Sequence, residues 1–277
     1  MENMISKYPD GTSYSRIDTN KDNFIYRVNN YEDLWHLNQI VDAYNHNEIK
    51  PTIIIPNLID AQADRRFEYN QSAGLKLVLD FIGKMNANFK VFHPHNSEVV
   101  ENSTNNIEII DNSDFIIEVL SYLGWSKYNF DNLILMSSDA GGFKPLMKLC
   151  DTIKWKGETV SASKYRSWDE VDGTKFVQQI DRQDFNGKDI LIIDDISIYG
   201  GTFKGLSKLL RERKCGKLYL AVSHMTIQNL GKDPITRYFD KVFTTNSKYN
   251  KYYESSKTRV PLEIDSDKLQ VIKMFSI

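Results

Sequence analysis

The sequence predicts an α/β protein of two domains, each a mainly parallel sheet flanked by helices. Three observations point that way. Short apolar runs rich in β-branched residues alternate with longer amphipathic stretches, the order that βα units produce. The chain has 277 residues, enough for two domains of ordinary size. One strand-like run ends in two carboxylates and is followed by two glycines and a helical pattern, as at the ligand-binding edge of a parallel sheet.

Taken in order, the strand candidates are Thr52–Ile55, Lys90–Phe92, Leu133–Met136, Ile190–Ile193, Leu218–Val222 and Val242–Thr244. The helix candidates are Tyr31–Tyr44, Asn70–Met85, Gly142–Thr152 and Thr202–Arg213. In the last, Phe203, Leu206, Leu209 and Leu210 share one helical face, with Lys204, Lys208, Arg211 and Lys214 off it. The polar run Glu98–Asn106 is the best seam, giving domains of residues 1–110 and 111–277. A second polar stretch, about 156–174, shows no clean periodicity and is expected to be a functional loop.

Composition narrows the class. Hydrophobic residues make up 41% and charged residues 26%, which is the globular range. Thirty-five basic against 37 acidic residues leave a charge of -2, so neither a nucleic-acid nor a membrane-surface partner is expected. The longest apolar runs are far too short to span a bilayer, and the first residues lack the apolar core of a secretory signal. Cys150 and Cys215 stand in no metal or disulfide pattern. Abundant Asn, Ile, Lys and Tyr suit an AT-rich genome of a phage or a low-GC bacterium, so the expected location is a bacterial cytoplasm, or the host's if the gene is a phage's.

The strongest chemical signal is Ile190-Leu-Ile-Ile-Asp194-Asp195-Ile-Ser197-Ile-Tyr199-Gly200-Gly201-Thr202. The carboxylates are placed to hold ribose hydroxyls. Adjacent glycines let backbone N–H groups approach a phosphate, and a helix N-terminus behind them adds a favourable dipole. Either pair alone is ordinary, a solvated strand end or a turn; the combination after four apolar residues points to a sugar-phosphate site.

This segment resembles the phosphoribosyl-pyrophosphate (PRPP) motif of type I phosphoribosyltransferases and of their relatives the ribose-phosphate pyrophosphokinases, or PRPP synthetases. The rest of the chain resembles the pyrophosphokinases, with motifs in the family's order over most of residues 4–275 and no counterpart of the family's first strand and helix. Tyr8-Pro9-Asp10-Gly11-Thr12 is similar to the segment that holds the adenine of ATP, in that family from a neighbouring subunit. The resemblance implies that Tyr8 stacks on the base and Asp10 accepts from its amino group. Ala61-Gln62-Ala63-Asp64-Arg65-Arg66 is similar to a block at the ATP site: Asp64 and Arg65 match, Gln62 and Ala63 replace an Arg-Gln pair, and Arg66 can supply a replacement charge. In His93-Pro94-His95, His95 matches the histidine near the metal–triphosphate, and His93 replaces an Asp. Ser138-Asp139-Ala140-Gly141-Gly142 is similar to the family's Pro-Asp-Ala-Gly-Gly, which implies Asp139, with His95, at a magnesium ion. Lys164-Tyr165-Arg166 matches the Lys-x-Arg of the catalytic flexible loop. Val222-Ser223-His224 and Thr244-Thr245-Asn246-Ser247 resemble segments expected to be structural.

The implied activity is a Mg2+-dependent transfer of the β,γ-diphosphate of ATP to the anomeric hydroxyl of a ribose 5-phosphate unit, releasing AMP. Lys164 and Arg166 would be catalytic, and Asp194, Asp195, Ser197, Tyr199, Gly200, Gly201 and Thr202 would bind the acceptor. Ile198 and Tyr199 stand where the family has a third Asp and its first Thr. That departure marks a divergent member and suggests a changed acceptor such as ADP-ribose, as in ADP-ribose pyrophosphokinase relatives that serve NAD metabolism, with Tyr199 lining the extension or stacking on the added base. The resemblance also implies a homodimer or larger assembly. Two alternatives remain: a phosphoribosyltransferase that consumes PRPP, and a non-catalytic nucleotide-binding regulator.

Overall fold

The computed structural model describes residues 4–66, 68–125, 130–169, 173–248 and 267–275; the side chains of residues 165–169, 173–177 and 227 are outside that description. The chain divides into two compact units, Met1–Asp111 with Phe275–Ile277, and Asn112–Met274. Among the described residues no helix is long and apolar enough to cross a membrane.

The first unit begins with an antiparallel hairpin of β1 (Ile5–Lys7) and β2 (Ser13–Ser15). Its sheet is built from β3 (Asn23–Ile25), β4 (Thr52–Ile55), β5 (Asn88–Phe92) and β6 (Ile107–Ile110), all parallel and in sequential order. Helices α1 (Tyr31–His46), α2 (Gly74–Ile82) and α3 (Ser97–Glu101) make the connections. Asn30 caps α1 by accepting from the Asp33 N–H at 2.9 Å, and Glu32 and Asp33 in the first turn suit the positive end of the helix dipole. Leu34, Leu37 and Val41 of α1 pack with Ile53 and Ile55 of β4 and with Leu75, Val78 and Leu79 of α2. Each such buried side chain contributes about 1.5–3 kcal/mol.

In the second unit come α4 (Ser113–Tyr122), β7 (Leu133–Ser137), α5 (Phe143–Ile153), β8 (Glu158–Ser161), β9 (Ser163–Asp169), β10 (Gly173–Gln179), β11 (Asp189–Ser197), α6 (Gly201–Glu212), β12 (Leu218–Met225), β13 (Lys241–Thr245) and β14 (Leu269–Ile272). Six parallel strands lie in the order β14-β13-β12-β11-β7-β8, while β9 and β10 form a separate antiparallel pair. Alternation along each strand divides the core. Ile134, Ile190, Ile192 and Leu220 meet Phe203, Leu206 and Leu210 of α6 on one face. Leu133, Leu135, Leu191 and Phe243 meet Phe115, Val119 and Leu146 of α4 and α5 on the other. A sheet buried on both faces explains why these strands read as continuous apolar runs.

The 98–106 stretch holds α3 and the turn into β6, and the units divide a little later, after Asp111, one residue past the boundary expected at 110. Two expectations need correction. The stretch 156–174 is mostly strand rather than an irregular loop. Thr159, Val160, Tyr165 and Trp168 favour extended backbone. The helix expected over Asn70–Met85 is shorter, Gly74–Ile82, with Gly83 at its C-cap. Neither α4 nor β6 was expected, although Phe115, Ile116, Val119 and Leu120 recur at helical spacing and are all buried.

Candidate functional site

The second unit's sheet delivers its chemistry at the C-terminal ends of β7 and β11, which are adjacent and parallel. On β11, Ile190 to Ile193 are buried, and the strand then presents Asp194 and Asp195, both half-buried. The Asp194 carboxylate accepts from the Asp195 N–H at 2.8 Å and from the hydroxyl of Ser138, which follows β7 and is buried. Burial first, and the neighbouring Asp195 charge second, push the Asp194 carboxyl up to about 8; the Ser138 and Asp195 N–H hydrogen bonds oppose this. Without a ligand the pair therefore avoids carrying two full charges at neutral pH. Hydrogen-bond donors or a cation beside the pair would favour the ionised form.

Asp139 sits one residue beyond Ser138, where Oδ1 accepts from the Gly142 N–H at 3.0 Å and so shapes the turn into α5. The hydroxyls of Ser137 and Ser161 lie 3.0 and 3.2 Å from the Asp139 carbonyl oxygen and hold the turn from beneath. Its carboxylate remains half-exposed.

Beyond Asp195 the chain turns through Ser197–Gly200 into α6. Gly200 has φ +72°, a left-handed conformation that suits glycine, and a Cβ there would lie 2.9 Å from both Asn229 Oδ1 and Ile235 Cδ1. Around Gly201 there is open space, and Thr202 opens the first turn of α6. Tyr199 is 70% exposed at the rim. Ser197 differs from expectation: it is buried, and its hydroxyl donates to Asn229 Oδ1 at 2.6 Å, so it holds the loop instead of facing a ligand. Asn229 itself, fully buried, was not foreseen; a lone Asn in a four-residue 3-10 turn carries no periodic signal.

Lys164 and Arg166 are both residues of β9, two positions apart. Lys164 stands opposite Gln178 of β10, and Arg166 opposite Phe176; the Arg166 side chain lies outside the described ones. Gln178 Nε2 donates to the Thr202 carbonyl at 2.8 Å, which fastens the strand pair to the first turn of α6. The remaining matched segments are structural, as expected. Thr245 and Ser247 hydroxyls donate to the Ser223 carbonyl at 2.7 and 3.0 Å, and His224 Nδ1 lies 2.7 Å from Ser247 Oγ, all buried.

The first unit places its candidates in two groups. At the β1–β2 turn, Tyr8 is half exposed, with its ring 4.5 Å from that of Tyr14. Asp10 accepts from the Thr12 N–H and hydroxyl at 3.0 and 2.7 Å, and the hydroxyl bond first holds its carboxyl below the usual range. The second group follows β4 and β5, parallel neighbours whose C-terminal ends share one edge. There Asp64 accepts from Asn96 Nδ2 at 2.9 Å, joining the two connections, and Arg66 Nε donates to the Gln71 carbonyl at 2.9 Å. Gln62 and Arg65 belong to the same connection, and His95 is exposed just past β5. His93 has φ +36° and donates its N–H to the Ile110 carbonyl, so it shapes the turn.

A sequence profile of the phosphoribosyl transferase domain matches residues 103–256. Ribose-phosphate pyrophosphokinase of Sulfurisphaera tokodaii is 23% identical over 252 residues, 87% of this chain and 82% of that protein. Its counterpart in Pyrococcus furiosus is 24% identical over 251 residues, 88% and 85% of the two chains. The crystal structure of phosphoribosylpyrophosphate synthetase from Mycobacterium smegmatis superposes with a TM-score of 0.69 at 17% identity, covering 97% of this chain and 85% of that one, a likeness of fold.

Proposed function

The chain belongs to the phosphoribosyl transferase domain family, and from that premise we propose that it is a pyrophosphokinase that moves the β,γ-diphosphate of ATP onto the anomeric hydroxyl of a ribose 5-phosphate unit. The observation that carries the reading is the fastening of the Lys164–Arg166 strand pair to the first turn of α6 through Gln178 and Thr202. It ties a cationic element to the phosphate-type loop, which is what diphosphoryl transfer requires.

In this reading Asp194 and Asp195 accept from the ribose hydroxyls, and the N–H groups from Tyr199 to Thr202 receive the 5-phosphate. Lys164 and Arg166 offset the negative charge that spreads over the transferred phosphoryl oxygens as the bond to AMP breaks. Tyr8, Asp10, Gln62, Asp64, Arg65, Arg66 and His95 are the proposed ATP contacts. Mg2+ would neutralise charge on the triphosphate, with Asp139 and His95 as its proposed protein ligands. Among the described residues no three acidic, His or Cys side chains converge. Mg2+ suits the Asp139 carboxylate, since it usually takes one or two carboxylates and completes its shell with water and phosphate oxygens; the His95 imidazole, a nitrogen donor, would serve through a phosphate oxygen or a bound water.

The exposed Tyr199 ring favours ADP-ribose as a second acceptor, because a base carried beyond the 5-phosphate can stack on it. The exposed β1–β2 turn suits a contact with a second copy, which light scattering on the purified chain would test. The activity itself is tested by AMP release from Mg-ATP, with ribose 5-phosphate and ADP-ribose supplied separately. Release that depends on an acceptor and on Mg2+ is the expected result. PRPP consumption with a free base and no AMP would indicate a phosphoribosyltransferase instead.

A further inference from the structure

The loop between β11 and α6 is held from behind by two residues that no motif marks. Asn229, in the short 3-10 turn Ile227–Leu230, is fully buried, and its Nδ2 lies 2.8 Å from the carbonyl oxygens of both Ser197 and Ile198. Its Oδ1 accepts from the Ser197 hydroxyl at 2.6 Å. The reverse amide orientation would set an oxygen against carbonyl oxygens, so the chemistry fixes which end donates. Thr226 adds a second donor: its hydroxyl reaches the Ile198 carbonyl at 2.6 Å, and its N–H reaches the Ser197 carbonyl at 3.0 Å.

Consecutive carbonyls along a regular strand turn to opposite sides. Here those of Ser197 and Ile198 both turn onto the Thr226–Asn229 clamp. A trans peptide carries its N–H opposite its C=O, so the N–H groups of Ile198 and Tyr199 both point away from the clamp. Successive N–H groups aimed to one side form the concave donor array that binds anions. Asn229 Oδ1 would also be crowded by any Cβ at Gly200, which couples the clamp to the left-handed turn that opens α6.

We propose that Asn229 is a positioning residue for the acceptor's phosphate, acting by locking the Ser197 and Ile198 carbonyls so that the N–H groups of Ile198 and Tyr199 face the ligand. The inference rests on the reading of this loop as the ribose 5-phosphate site. It assigns to buried amide chemistry a task that Ile198, which has no side-chain donor, leaves to the backbone.

The test uses the full chain with Asn229→Asp, which keeps the side chain's shape but sets oxygen against the two carbonyls, and Thr226→Val, which removes one hydroxyl donor. Calorimetric binding of ribose 5-phosphate and of ribose, together with steady-state KM values for acceptor and for Mg-ATP, gives the readout. For Asn229→Asp the expected result is roughly a tenfold or larger rise in Kd and KM for ribose 5-phosphate. The KM for Mg-ATP and the affinity for ribose should stay within about twofold, since neither engages the clamped N–H groups. Thr226→Val should show the same pattern at roughly threefold, and it decides the matter if Asn229→Asp fails to fold. A folded variant whose ribose 5-phosphate affinity is unchanged overturns the inference while leaving the activity standing. Failure of the unaltered chain to bind either ribose 5-phosphate or ADP-ribose overturns the activity reading, and the inference with it.

Discussion

The two parallel-sheet edges of this chain are prepared to different degrees. In the second unit, Asp194 is held by the buried Ser138, and the Ser197–Gly200 loop is clamped by the buried Asn229 and the half-buried Thr226. In the first, the chemistry is spread over the long connection after β4 and the turn after β5, where the half-buried Asp64 accepts from Asn96. Under the proposed function the contrast is a division of labour: a preorganised loop for a small sugar phosphate, whose few contacts must each be well aimed, and a more spread-out set of contacts for a larger nucleotide. Preorganisation lowers the ordering cost that binding must overcome, and a small ligand has the least interaction energy with which to overcome it.

The sharpest way to break this comparison is to alter charges in the second unit. Lys164→Ala or Asp194→Asn should lower kcat by about 10²–10³-fold, as loss of a single well-placed stabilising group does. Gly200→Ala comes next. Its Cβ would meet Asn229 and Ile235 at 2.9 Å in a left-handed turn, so the KM for the acceptor should rise about tenfold with the fold retained. In the first unit, Asp64→Ala should raise the KM for Mg-ATP only about three- to tenfold and leave the acceptor's KM unchanged. An equal effect on both substrates would contradict the division.

The smallest expected effect is on stability. The folded Asp194 carboxyl titrates above its unfolded value, so its contribution to stability is complete below the unfolded pKa and is lost as pH rises toward about 8. The ligand-free chain should therefore show a falling Tm between about pH 5 and pH 8, a window in which ordinary carboxylates are already ionised. Asp194→Asn should flatten that slope and stabilise the chain at the upper end, alongside the loss of kcat already given. A slope unchanged by the substitution would show that Asp194 titrates normally.

What the sequence discloses follows the same contrast. Asp194, Asp195, Gly200 and Gly201 are legible because they are contiguous and directly follow an apolar run that can only be a buried strand. Ser138 and Asn229 are not, because their value lies in partners 56 and 32 residues away along the chain. The β9–β10 pair escaped notice because aromatic, charged and β-branched residues mix on it without a period of two. In α4 the helical signal was present, and only its brevity, ten residues, hid it. The first unit's candidates depended on resemblance, since Tyr8, Asp64 and His95 sit in turns and connections that by themselves look like surface.

The most direct test of the whole account is AMP release from Mg-ATP by the purified chain, followed by chromatography, with ribose 5-phosphate or ADP-ribose as acceptor. The account predicts acceptor-dependent AMP, with the preference between the two acceptors set at Ile198 and Tyr199 and shifted toward ribose 5-phosphate when Tyr199 is replaced by Thr. No AMP with either acceptor, from a chain that still binds ATP, would contradict it and leave a nucleotide-binding regulator in its place.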